Sequence, residues 1–164
     1  MINQITIKWE GPFTAKEIKE KNDDTDFGIY QVYGNHRIYG QNVLLYVGKS
    51  VKQTFGVRIP QHTDWFDWEE NQQTYFIGKL YGLSQISIEK WDSQIDLAET
   101  YLIDHCQPAW NSQSLNIYIS DYEKAQISNY GSKCSLPPFI PISDFTKNVW
   151  NNDYVLFSTK NKID

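Results

Sequence analysis

Long apolar runs are missing from this chain of 164 residues. No stretch approaches the roughly 20 consecutive apolar residues needed to cross a bilayer, so no membrane span or membrane partner is expected. Met1 to Glu10 places no basic segment ahead of an apolar one, which argues against a signal peptide. Cysteine is scarce. Cys106 and Cys134 are too few and too unpatterned for a disulfide framework or a zinc site, and they fit two thiols in a reducing cytoplasm. Positive charge is also short: 15 Lys and Arg against 20 Asp and Glu leave a net charge of −5. That balance disfavours a protein that coats nucleic acid nonspecifically. Internal repeats and low-complexity tracts are lacking too.

What is present suits one folded domain. The hydrophobic fraction is 40% and the aromatic fraction 15%, enough for a proper core at this length. Charge is unevenly spread. Between Asp26 and Thr63, Arg37, Lys49, Lys52 and Arg58 face one acid, a local balance of +3. Between Asp64 and Cys106, nine acids face Lys79 and Lys90, a balance of −7. A small basic patch on an acidic surface fits a selective or weak nucleic-acid binder better than a tight nonspecific one.

Patterning predicts the elements. Ile2, Ile5 and Ile7 suggest a short strand broken at Gly11-Pro12. Thr14 to Glu17 has the form of a capping box opening a short helix to about Lys21. Phe27 to Tyr33 alternates and Val43 to Val47 is β-like, so the two predict an antiparallel hairpin with a long tip. A helix is expected from near Val57 to Phe66, with Pro60 tolerated in its first turn and Arg58 and His62 on one face. Thr74 to Tyr81 reads as a third strand, and Ser93 opens a helix to about Cys106. In the tail, Ser120 to Glu123 is a second capping box, predicting a helix that ends before Gly131. A Pro-rich turn (Leu136 to Pro141) and an apolar run (Tyr154 to Phe157) follow.

Within that frame one ordered set stands out: Gly28-Ile29-Tyr30, Tyr46-Val47-Gly48, Lys49, Arg58, His62, Glu99 and Asn111. From about Phe27 to Ser112 the chain resembles the GIY-YIG nuclease family, whose site is assembled from these residue types in this order. The resemblance implies an α+β fold, a three-stranded antiparallel sheet flanked by helices, over residues 26–115. Residues 1–25 and 116–164 are then short extensions, a strand and helix before the domain and a helical or irregular tail packed on it. It implies a metal-dependent endonuclease hydrolysing phosphodiesters in DNA, duplex or branched, with RNA also admissible. The enzyme is expected to be cytoplasmic, a monomer or weak homodimer. The alternative is a non-catalytic nucleic-acid-binding or regulatory module that keeps the fold.

Roles follow residue by residue. Glu99 shares an apolar stripe with Ile95, Leu102, Ile103 and Cys106, a costly place for a carboxylate unless something meets it. Taken alone it reads as a buried salt bridge to Arg58 or Lys79; the resemblance makes it a ligand of Mg²⁺ or Mn²⁺. Tyr30 and Tyr46 read alone as core tyrosines. By resemblance Tyr30 is the general base and Tyr46 the positioning group, with His62 the competing proton acceptor. A phenol is a poor base unless positive charge lowers it, and Lys49 is placed to do so. Arg58 has the fork to hold two phosphate oxygens. Lys52 belongs to the basic patch as a substrate contact. Asn111 closes Gln107-Pro108-Ala109-Trp110-Asn111, which resembles the family's ending after the glutamate helix, and is expected to fix a loop or side chain near substrate. Trp65, Phe66 and Trp68 suit core packing better than base stacking.

Overall fold

Ile5, Ile7 and Trp9 are buried while Thr6 and Lys8 between them are not, the period-two pattern of a strand with one covered face. They lie in β1 (Asn3–Phe13), which runs on through Gly11-Pro12 with a register shift between Glu10 and Phe13. The computed structural model describes residues 3–62, 73–81, 87–115 and 124–141. After β1 come α1 (Ala15–Lys19), β2 (Gly28–His36), β3 (Gly40–Ser50) and α2 (Phe55–Arg58), continued by a 3-10 turn at Ile59–Gln61. Then follow β4 (Thr74–Tyr81), α3 (Ile88–Cys106), β5 (Ala125–Gly131) and β6 (Phe139–Ile140).

All six strands join one sheet in the order β3-β2-β4-β1-β5-β6. Pairing is antiparallel throughout except between β1 and β5, which are parallel. The expected architecture is therefore corrected. In place of a three-stranded antiparallel sheet flanked by helices, the chain forms a six-stranded mixed sheet curled into a half-barrel, with few helices. The physical reason lies in β1. It takes the outer edge of β4, where Thr6 opposes Tyr81 and Glu10 opposes Ile77, and offers its own far edge to β5. Segments expected as extensions thus supply three of the six strands.

Other boundaries move for local reasons. The predicted tail helix before Gly131 is β5: Ala125, Ile127 and Asn129 are buried and alternate with more exposed residues, which no helical stripe would do. Its capping box, Ser120 to Glu123, lies outside the described residues, as do Tyr154 to Phe157 and Trp65, Phe66 and Trp68. α3 starts at Ile88, ahead of Ser93, because the Ser87 hydroxyl accepts the Lys90 N–H at 3.3 Å and caps it earlier. The helix behind the hairpin starts at Phe55, two residues before the expected Val57, and lasts one turn. Pro60, which has no N–H to donate, sits in the first turn of the 3-10 segment. The capping box at Thr14 and Glu17 forms as expected.

Two apolar clusters sandwich the sheet. α3 packs Ile95, Ala98, Leu102 and Ile103 against Ile5, Ile7, Ile29, Val47 and Ile127 on one face. On the other, Ile18 of α1 and Phe55 and Ile59 close over Tyr30, Val32, Tyr75 and Ile77. Tyr30 and the helix that carries Glu99 therefore belong to opposite faces of the sheet.

Candidate functional site

β2 and β3 bring the two tyrosines together as a hairpin should. Val32 pairs with Tyr46 and Tyr30 with Gly48, so both phenols rise from the same face of neighbouring strands. Their ring centroids are 6.1 Å apart. His62, delivered by the end of the 3-10 turn, lies over them, 5.1 Å from the Tyr46 ring and 6.2 Å from that of Tyr30. The Tyr30 hydroxyl and His62 Nε2 share a hydrogen bond of 2.7 Å. Tyr30 is wholly buried, whereas Tyr46 and His62 keep partial exposure.

Burial decides the acidity of the phenols. It pushes Tyr30 far above the ordinary value, with the neighbouring Tyr46 and the Glu99 charge adding to the effect and Arg58 opposing it. Tyr46 is raised by burial and then by Glu99, while Arg58 and Lys49 pull it down. The expectation that Lys49 makes a phenol acidic is thus reversed, because desolvation outweighs the available positive charge. Lys49 itself is engaged elsewhere.

The Lys49 ammonium lies 2.8 Å from a Glu99 oxygen and 3.0 Å from Asp96. Burial alone would push the lysine down, but the hydrogen bond to Glu99 and the charges of Glu99 and Asp96 outweigh it and hold the ammonium up. Glu99 is raised by burial, and by Asp96, against the pull of Lys49 and Arg58. Its partner is therefore neither of the cations anticipated. Lys79 sits 2.8 Å from the buried Asp26, on another part of the sheet. Arg58 donates to Gln61 Oε1 at 3.3 Å, and its guanidinium acts on Tyr30, Tyr46 and Glu99 alike. These four residues, from four elements, form one electrostatic neighbourhood.

Two glycines make the geometry possible. A Cβ on Gly48 would stand 2.5 Å from the Tyr30 ring and hydroxyl, so the glycine yields its volume to the phenol. Gly28 has φ +139° and lies against the Gly78 carbonyl, where no side chain fits. Asn111 acts as a surrogate strand. Its Oδ1 accepts the Val47 N–H and its Nδ2 donates to the Val47 carbonyl, each at 2.9 Å. With Ala109 and Trp110 donating to Leu44 and Leu45, the segment after α3 seals the free edge of β3 beside the tyrosines. Lys52 is exposed on the bend after β3 and joins none of these contacts.

Asp96 is the residue the sequence reading missed. Its signal was the spacing, three residues before Glu99 on one helix, which puts two carboxylates on neighbouring turns. The pair converges on one cationic point, the Lys49 nitrogen, and hard oxygen donors of this kind suit a hydrated divalent ion held by one or two carboxylates. No cluster of three or more His, Cys, Asp or Glu gathers among the described residues, so such an ion would take its remaining ligands from water and substrate. No family model, curated protein or solved structure matches the chain.

Proposed function

We propose that the chain is a phosphodiester-cleaving nuclease of GIY-YIG type acting on DNA. The observation that carries this reading is the 2.7 Å link between the Tyr30 hydroxyl and His62 Nε2, roofed by Tyr46 and within the field of Arg58. A buried, neutral phenol tied to a partly exposed imidazole favours His62 as the proton acceptor. Tyr30 then orients the imidazole, which receives a proton from the attacking water. The Tyr46 hydroxyl positions that water or a phosphoryl oxygen. Arg58 holds the oxygens on which charge builds as the new O–P bond forms and the bond to the 3′ oxygen breaks. That oxygen leaves with a proton drawn from solvent. Glu99, with Asp96 beside it, would hold Mg²⁺ or Mn²⁺, which supplies Lewis-acid stabilisation of the leaving oxygen when bound.

Plasmid nicking in Mg²⁺, in Mn²⁺ and in EDTA tests the reading. Wild type should nick only with metal, and His62→Ala and Arg58→Ala should each lose about 10²-fold or more. Glu99→Gln should abolish nicking while changing stability by about 1 kcal/mol or less, because the amide keeps the shape of the mostly buried side chain and the half-buried Lys49 keeps Asp96 as partner. DNA binding without nicking under every condition would leave the binding-module alternative in its place.

A further inference from the structure

The sheet face that carries Tyr30 continues well past the candidate site. Laterally paired residues point to the same side of a sheet. Tyr30 pairs with Ile77 and Ile77 with Glu10, so Lys79 and Tyr81 of β4 and Thr6 and Lys8 of β1 share that face. The register extends across four strands: Tyr81 opposes Thr6, Thr6 opposes Ser128, and Ser128 opposes Phe139. The adjacent row holds Lys79, Lys8 and Tyr130.

The cover provided by α1 and α2 reaches Tyr75 and Ile77 and goes no further along β4. Beyond it, Tyr81 is 58% exposed, Phe139 44% and Tyr130 39%. The Tyr81 and Tyr130 rings stand edge to face, 6.0 Å apart. Among the described residues, these aromatic rings on rows otherwise made of Thr6, Ser128, Lys8 and Lys79 join neither core cluster, and leaving them in water forfeits burial energy. Charge here is light. Lys8 meets Glu10 at a loose 3.8 Å, a half-exposed pair that a phosphate could exchange into.

We propose that the β4-β1-β5-β6 face is a stacking platform for unpaired bases of a nucleic-acid strand whose scissile phosphate sits by Tyr46 and His62. This rests on the nuclease reading and narrows its substrate class to single-stranded, flapped or branched nucleic acid. Base stacking needs π-faces more than cations, which reconciles nucleic-acid binding with a net charge of −5. Tyr46 is level with Val32 and Tyr75, and Tyr81 lies six residues further along β4, about 20 Å at strand rise, so a strand several nucleotides long can touch both places. A duplex keeps its base faces stacked inside and offers nothing to these rings.

Fluorescence anisotropy in EDTA, with labelled oligothymidine longer than a single-strand site and with the matching duplex, tests the platform. Wild type should prefer the oligothymidine. Tyr81→Ala and Tyr130→Ala should each weaken that binding about tenfold, whereas Tyr81→Phe, which keeps the ring face, should bind as wild type. Both side chains are exposed, so circular dichroism should show the fold unchanged in all three. Alanine variants that bind as wild type, or a preference for duplex, would overturn the platform even if nicking is robust. Binding that depends on Tyr81 and Tyr130 in a protein that cuts neither plasmid nor oligothymidine in Mg²⁺ or Mn²⁺ would uphold the platform and sink the nuclease reading.

Discussion

Tyr30 shows how far a residue's surroundings can change its chemistry. Read as a letter, it is a phenol titrating near 10. In the fold, burial holds its proton well above that pH, and Tyr46 and Tyr33 shift the same way for the same first cause. The native state therefore binds more protons than the unfolded chain above about pH 10, and stability must fall there as pH rises, by up to ~1.4 kcal/mol per pH unit for each such tyrosine. The urea midpoint should drop between about pH 9 and pH 11, and Tyr30→Phe should flatten part of the drop. A wild-type midpoint independent of pH across that window would refute the account. Activity should show no alkaline rise from a phenolate. Gly48→Ala pushes a methyl group into the Tyr30 phenol; it should cost about 1–3 kcal/mol in urea unfolding and lower nicking together. The order and types of these residues were legible in the sequence. That burial would outrun Lys49, and that Lys49 would turn to Glu99 and Asp96, depends on distances between elements that no spacing encodes.

At the scale of elements, the hairpin was the most legible part, because alternation and glycine placement are local signals. The segment after α3 was legible only in outline. Asn111 satisfies both backbone groups of Val47, so Asn111→Ala leaves a buried N–H and a buried carbonyl unpaired next to Tyr46. A loss of about 2–4 kcal/mol is expected, with the Val47 amide exchanging hydrogen much faster than in wild type. An unchanged Val47 exchange rate would mean that the edge of β3 is held by Ala109 and Trp110 alone. β5 was misread for an identifiable reason. A Ser-x-x-Glu pattern at Ser120 is a helix signal, but the alternation from Ala125 to Tyr130 is what packs against Ile5 and Ile7 of β1. Where two local signals compete, the neighbour that buries more apolar surface prevails.

For the molecule as a whole, the resemblance implies a domain over residues 26–115 with short extensions at either end. The sheet leads to a different expectation. β1 lies between β4 and β5, and Ile5, Ile7 and Trp9 sit in the main cluster with Ile95, Leu102 and Ile127. A 26–115 fragment would lose those side chains and expose the full edge of β4, so it should fail to give a cooperative thermal unfolding transition. A fragment that melts cooperatively would show the three-stranded section to be self-sufficient. Local sequence was enough for the hairpin strands, the Thr14–Glu17 capping box and the ordered set of tyrosines, arginine, histidine and glutamate, since each rests on neighbours within a few residues. Only long-range contacts set which strand takes the open edge of β4, which cation meets Glu99, and how far the described helices cover the face beside the site. Those outcomes depend on edges and faces contributed by segments up to a hundred residues or more apart, as when Asn129 of β5 accepts the Trp9 indole N–H of β1 at 2.9 Å. A strand's own side chains specify that it pairs, but the backbone groups that form the pairing are the same at every edge.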